Sequence, residues 1–310
     1  MSKSVLTGPY GEVRLTWTKD AQPDPAEIIR SCAAACAEIR PPSYIIRRPT
    51  EAEDSLTLYP YADAHVGLLV WKPESGHDWD LKIAEERINE AFDSMVSKSP
   101  PSKWAVFLGL GDLFHADSSS QETERSHNKL DVEGRYDKIY GVVCRMLVHA
   151  IDALLLKHEN VTARILKGNH DTHSSVGAAH FLSAYYRHEP RVTVDLSPDL
   201  FWYMKFGSTM LCATHGHEAR APQLAGIAAS RKAKCWGETI YRYGHLGHLH
   251  RSEKLVQEGG GMITEIHDAP IPRDAYAHGH GFQSVARFQS ITYSSEYGEC
   301  ERHIQPVRLK

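Results

Sequence analysis

Residues 104–117 read WAVFLGLGDLFHAD: five apolar residues, then Gly109-Leu110-Gly111, then Asp112, with His115 three positions on. A run this short, apolar and glycine-terminated predicts a strand buried on both faces that turns at Gly111-Asp112. The same pattern appears on either side. SLTLYPYAD (55–63) predicts a strand ending at Asp63, with His65 two residues further, and VTARILKGNHD (161–171) predicts one ending at Asn169-His170-Asp171. Helical stretches separate the three. In DWDLKIAEERINEAFDSMV (78–96), Leu81, Ala84, Ile88, Ala91, Phe92 and Met95 fall at helical spacing with charges opposite. GRYDKIYGVVCRMLVHAIDALLLKH (134–158) predicts a long, largely buried helix, and VGAAHFLSAYYRH (176–188) a further one.

Shorter strands follow. RVTVD (191–195) is one, and FWYMKFGSTMLCATHGH (201–217) predicts two joined by a Gly207-Ser208 turn. APQLAGIAASRKAK (221–234) reads as a helix, and YRYGHLGHLH (241–250) as a strand running into a loop. EKLVQEGGGMITEIHDAP (253–270) predicts a hairpin across its glycines, and FQSVARFQSITYSS (282–295) a closing strand pair. Alternating strands and helices followed by a strand-rich half define an α/β layered fold. Residues 1–53 are set apart as an appendage: a short hairpin in TGPYGEVRLTW (7–17), a helix in PAEIIRSCAAACAEI (25–39), then a Pro- and Arg-rich connector. The main domain is expected over residues 54–310.

Composition narrows the functional classes. The 310 residues are 42% hydrophobic and 24% charged, which excludes wholesale disorder, and 35 basic against 39 acidic residues give a net charge of −4. That excludes a protein that coats nucleic acid by charge alone, though not an enzyme whose site is made positive by bound metal. No apolar run approaches the ~20 residues of a membrane span, and MSKSVLTGPYGEV lacks a signal-peptide core, so a cytoplasmic, membrane-independent protein is expected. Six scattered cysteines without a CxxC pair do not make a disulfide framework; Cys32 and Cys36, one helical turn apart, read as small apolar residues.

Five polar clusters terminate predicted strands: Asp63-Ala64-His65, Gly111-Asp112-Leu113-Phe114-His115, Gly168-Asn169-His170-Asp171, His215-Gly216-His217 and Gly247-His248-Leu249-His250. Each alone is a common accident. Together, at the carboxyl edge where open α/β sheets bind ligands, they are a site. Asp, Asn and His without Cys suit divalent Mn, Fe or Zn. A carboxylate can bridge two such cations, and cations ~3.5–4 Å apart can share the hydroxide that attacks phosphorus in line.

The ordered set DAH, GDLFH, GNHD, THGH and GHLH resembles the calcineurin-like metallophosphoesterase superfamily over residues 55–268. The resemblance implies a four-layer sandwich of two facing mixed sheets flanked by helices, and a dinuclear phosphoesterase. Motif by motif, it implies that Asp63, His65 and His250 bind one metal, that Asn169, His215 and His248 bind the other, and that Asp112 bridges them. His170 would protonate the leaving oxygen or polarise the phosphate, oriented by Asp171. GDLFH, with its histidine three after the aspartate, looks like the SbcD-type DNA-repair nucleases. His115 would then position the nucleotide or hydrogen-bond a metal ligand. In length and texture the chain looks closer to stand-alone phage and prophage members.

The expected activity is therefore phosphodiester hydrolysis on DNA with two divalent ions per chain, Mn²⁺ foremost and Fe, Zn, Mg or Ni as substitutes, in a chain able to form a homodimer. A cyclic-nucleotide or other small phosphodiesterase is the alternative. A phosphoprotein phosphatase would show GDxVDRG, which GDLFHAD lacks, and a non-catalytic binding module would have lost ligands. Weaker candidates each have an ordinary reading beside the functional one: His217 and His245 near the ligands, His278 and His280 in a Gly-rich loop, Arg125, Asn128 and Arg135 in a polar loop, Arg220, Arg231, Lys232 and Lys234 in a basic stretch, and Trp71 and Trp79 as base-stacking platforms.

Overall fold

The computed structural model describes residues 2–7, 12–19, 54–123, 127, 129–250, 253–256, 260–273, 279 and 285–309. The chain opens with an antiparallel hairpin of β1 (Ser2–Thr7) and β2 (Val13–Lys19). The expected helix over 25–39, with Cys32 and Cys36, lies outside the described residues. Next come β3 (Ser55–Tyr61), α1 (Lys72–Ser75), α2 (Leu81–Lys98), β4 (Trp104–Gly109), α3 (Tyr136–Leu155), β5 (Asn160–Ile165), α4 (Ser174–Tyr185) and β6 (Val192–Asp195). The second half holds β7 (Trp202–Phe206), β8 (Thr209–Ala213), α5 (Ala221–Arg231), α6 (Ala233–Gly237) and β9 (Tyr241–Leu246). It closes with β10 (Glu253–Val256), β11 (Ile263–Ile266), β12 (Arg287–Ser294) and β13 (Gly298–Pro306).

Two mixed sheets result. One has the order β13-β12-β3-β4-β5-β6, with β3 through β6 parallel; the other has the order β10-β11-β9-β8-β7, with β11, β9 and β8 parallel. Strand period explains the layering. Leu56, Leu58, Val106 and Leu108 face the second sheet's Trp202, Leu211 and Tyr243, while Tyr59, Tyr61, Ala105 and Phe107 face the helices. Strands buried on both faces read as continuous apolar runs, as β3 and β4 do. The helical side is covered by α2, whose six spaced apolar residues are all buried, and by α3, with thirteen of 20 residues buried. On the far side, Met210, Leu246 and Ile266 pack on Leu224 and Ala228 of α5. The order is helices, sheet, sheet, helix. Among the described residues, no helix is long and apolar enough to cross a membrane.

One expectation shifts. The closing pair is not contained in 282–295: β12 pairs antiparallel with β13, GECERHIQP, beyond that stretch. A sheet-edge strand is half exposed, so its charges hide the alternation that marks an interior strand.

Buried imidazoles give the fold an acid limit. His158 Nδ1 donates to the Ser102 carbonyl at 3.0 Å, so Nε2 accepts from the Tyr59 hydroxyl at 2.8 Å. Burial pushes His158 down to about 4, and burial likewise pushes His267 of the inter-sheet core to about 4. Both lie below the ordinary imidazole value, so the unfolded chain binds protons that the folded chain refuses. That stabilisation is complete above about pH 6.5 and drains as pH falls toward 4, at about 1.4 kcal/mol per pH unit per ring. His158→Gln should therefore flatten the dependence of the urea midpoint on pH over that window relative to wild type. An unchanged slope would contradict it.

Candidate metal centre

Five strand ends from both sheets deliver the polar clusters to one place. Asp63, His65, Asp112 and His215 form a floor with at most 2% exposure, while Asn169, His170, His248 and His250 are partly exposed at the mouth. Asp63, His65 and His250 form one group able to hold a metal ion, and Asp112, His215 and His248 form another. Within the first, His65 Nε2 lies 3.0 Å from His250 Nε2, and His250 Nε2 lies 3.7 Å from Asp63 Oδ1. In the second, His215 Nε2 lies 3.2 Å from Asp112 Oδ2 and 3.1 Å from Asn169 Oδ1. The same Asp112 Oδ2 is 3.8 Å from His65 Nε2, so one carboxylate oxygen faces both groups.

The donors fit a pair of divalent cations. His215 Nδ1 donates to the Leu110 carbonyl at 2.7 Å, which leaves the Nε2 lone pair turned toward Asp112 and Asn169. Hard oxygens and borderline imidazoles, without thiolate, suit Mn, Fe or Zn. Charge argues likewise. Burial pushes Asp63 up to about 8, with Asp112 and Asp171 raising it further and His215 and the His248 amide opposing. Burial also works against ionised Asp112, but His215, His65 and His170 hold it well below the usual carboxylate range. His215, which burial alone would depress, is lifted to about 10 by Asp112 and Asp63. Burial drives His65 well below its ordinary value and takes His248 to about 4. Left to itself this floor is balanced by a proton on His215 and by Asp63 pushed toward its neutral form; bound cations would take the place of those protons and leave the His215 Nε2 lone pair to bind.

The backbone is bent to make this arrangement. Asp63, His65, Asp112, His248 and His250 have φ between 41° and 72°, five of the seven non-glycine residues with positive φ among those described. Each such turn costs about 1 kcal/mol, and such strain gathers where side chains must be aimed. Hydrogen bonds across the gap hold it. Asp63 accepts the His248 amide at 2.8 and 3.0 Å, joining the two sheets, and His65 N donates to Asp112 O at 2.9 Å. Close approach needs glycine at 168, where a Cβ would stand 1.9 Å from Asp112 Oδ1.

His170 N donates to Asp112 Oδ1 at 2.8 Å, and its ring Nδ1 donates to the His115 carbonyl at 2.9 Å. The Asp171 carboxylate, expected to orient His170, is engaged elsewhere. It accepts the amides of Gly168, Asp112, Leu113 and Phe114 at 2.7 to 3.3 Å, clamping the GNHD loop onto the GDLF loop. The reason is geometric: Asp171 turns inward under the loop while the His170 ring faces its mouth. His115 is buried, 3.2 Å from His65 Nδ1 through its own Nδ1, and stacks on His170 with centroids 5.6 Å apart. Burial, reinforced by His170, takes His115 to about 3.

Sequence reading passed over Asp117. Its carboxylate accepts the amides of His173 and Ser174 at 2.8 and 2.7 Å, capping α4 from the neighbouring loop. The Ser174-Ser175 start of α4 was the available signal, but an acceptor distant in sequence leaves no local mark. Of the weaker candidates, His217 stands beside the second group, its ring 5.2 Å from His215 and 6.2 Å from His248. His245 is buried in β9, facing Tyr293. Arg231 pairs with Asp199 and covers Phe201, and Lys232 covers Tyr203, so this basic stretch packs on the second sheet. Lys234, Arg220 and Arg135 are exposed; Arg135 precedes α3 and Arg220 precedes α5. Trp79 is buried and Trp71 is exposed. Arg125, Asn128, His278 and His280 lie outside the described residues.

The layers and the two adjacent groups define an α/β sandwich whose strand ends could hold two metal ions. No protein-family model matches the chain, and no curated protein does. Among solved structures there are distant likenesses. An uncharacterized Streptococcus pneumoniae protein described as a predicted phosphoesterase shares 12% identity at a TM-score of 0.33, covering 82% of this chain and 99% of its own. Zinc-complexed Vps29 from Entamoeba histolytica shares 11% at 0.31, covering 80% and 97%, and a dimetal phosphatase from Danio rerio shares 8% at 0.38, covering 83% and 100%. Likeness of this degree assigns neither family nor activity.

Proposed function

We propose that the chain is a calcineurin-like dinuclear metallophosphoesterase that cleaves phosphodiester bonds, with DNA as its substrate. The observation that carries the hydrolase reading is Asp112, whose Oδ2 lies 3.2 Å from His215 Nε2 on one side and 3.8 Å from His65 Nε2 on the other. Asp63, His65 and His250 would hold one cation and Asn169, His215 and His248 the other, with Asp112 shared between them. When bound, the pair supplies positive charge for the phosphoryl oxygens and lowers the pKa of water enough to make a nucleophile.

The rest of the chemistry belongs to the side chains. His170 is held by two hydrogen bonds, one through its amide and one through Nδ1, which leaves Nε2 to carry a proton to the departing oxygen. His115 supports it from behind through its carbonyl and stacked ring, and its Nδ1 contact steadies His65. Asp171 keeps the two loops in register through four amides.

The DNA reading rests on GDLFH and on this placement of His115. A panel of an aryl phosphodiester, cyclic nucleotides, RNA, and single- and double-stranded DNA, each with Mn²⁺, tests it. DNA cleavage by wild type, lost in Asn169→Ala, is expected. Turnover of small diesters with every DNA form intact would overturn the DNA assignment, and no turnover of any ester would overturn the whole reading.

A further inference from the structure

A second cluster, separate from the metal centre, also has the composition of a metal site. His245, Glu265 and His267 are buried, and their ligating atoms lie within 4.8 Å of one another. His245 and Glu265 are register partners on the parallel pair β9 and β11, and His267 follows on the same face. Gln289 and Tyr293 of β12 and Arg302 of β13 meet them from the opposite sheet.

Hydrogen-bond polarity decides what this cluster is. A guanidinium only donates and an ionised carboxylate only accepts. Arg302 Nη1 donates to Gln289 Oε1 at 2.7 Å and to Glu265 Oε1 at 2.5 Å, and Gln289 Nε2 donates to Glu265 Oε1 at 3.1 Å. The Gln289 amide therefore has one orientation. Its Nε2 also meets His267 Nδ1, which must accept. The proton of the neutral His267 ring then sits on Nε2, 2.9 Å from His245 Nδ1. His245 in turn carries its proton on Nε2, 3.2 Å from the Tyr293 hydroxyl. A cation would need lone pairs on His267 Nε2 and His245 Nδ1 together, and Gln289 denies it the first. Burial holds His267 neutral at ordinary pH.

We infer that His245, His267, Gln289 and Tyr293 form a metal-free hydrogen-bond relay of one fixed polarity. We further infer that Gln289, His267 and Tyr293 are positioning residues for the metal centre, a point that rests on the function proposed above. The connections are short. β9 runs directly into His248 and His250, the His245 carbonyl accepts the amide of Thr214 beside His215, and Tyr293 is the register partner of Leu56 on the strand that leads to Asp63. The relay thus ties strands supplying both metal groups.

Nitrogen-15 NMR of the full chain reads the tautomers directly. Wild type should show both rings neutral and protonated on Nε2. Gln289→Glu puts an acceptor opposite His267 Nδ1, so both rings should switch to Nδ1–H as a unit, with Tyr293 becoming the donor. Tyr293→Phe should keep the wild-type tautomers. Titrated with Zn²⁺, wild type should take up two equivalents without altering the His245 or His267 signals; a third equivalent that removes either N–H would overturn the relay. Both variants should bind Zn²⁺ at the primary centre about tenfold more weakly, as loss of outer support does elsewhere. Inverted tautomers with unchanged affinity would overturn the positioning role. A wild type inert toward every phosphoester would sink only the proposed function, because tautomers and stoichiometry are read without turnover.

Discussion

Asp112→Asn should reduce tightly bound divalent metal from two equivalents to at most one, and lower phosphodiesterase turnover by at least about 10³-fold. The substitution is nearly isosteric. An asparagine carbonyl can still accept the His170 amide that Asp112 Oδ1 takes at 2.8 Å, so the GNHD loop keeps its place. What disappears is the charge on Oδ2, which stands 3.2 Å from His215 Nε2 and 3.8 Å from His65 Nε2. An amide has only one oxygen, so it cannot serve both neighbours and the loop together. Asp63 cannot replace it, because its carboxylate is anchored on the His248 amide and faces His250 of the first group. Elemental analysis after dialysis against Mn²⁺, with initial rates on an aryl phosphodiester, checks both halves. Two retained equivalents and near-normal turnover would mean that the shared oxygen does not matter.

His170→Ala should behave differently: metal content stays at two equivalents while kcat falls by about 10²- to 10⁴-fold. The ring lies outside both Asp-containing groups, at right angles to His65 with centroids 4.7 Å apart. Its Nδ1 is tied to the His115 carbonyl, so any proton it moves leaves from Nε2. The loss should therefore depend on the leaving group. Esters with an alkoxide leaving group need the proton and should suffer most; activated aryl esters should suffer least. Equal losses on both, or loss of metal, would remove His170 from the proton-transfer role and make it a structural contact.

The strands and the polar residues at their ends were legible because local pattern carries them. WAVFL and SLTLY are apolar on both faces since both faces are buried, and the spacing of Leu81, Ala84, Ile88, Ala91, Phe92 and Met95 follows from one covered helix face. β13 was hidden because an edge strand answers to solvent on one side, and its Glu and Arg residues break the alternation. Asp171 was read as a partner of the adjacent His170. Adjacency in sequence says little about direction on a turning loop, and the carboxylate points to four amides, three of them nearly sixty residues away.

By itself, the sequence determined the layered α/β class and the Asp, Asn and His clusters that close its strands at the carboxyl edge. Each depends on residue type and short-range period, which survive in one dimension. Only the tertiary structure decided that Asp112 lies between His65 and His215, that five of those polar residues take left-handed backbone turns, and that Asp171 and Asp117 act as loop clamps. Only it, too, separated one histidine cluster from the other. A lone pair toward Asp112 or a proton toward His245 is set by what the far side of each ring touches, Leu110 in one case and Gln289 in the other. Those partners come from distant strands, so hydrogen-bond direction is invisible until the chain is folded.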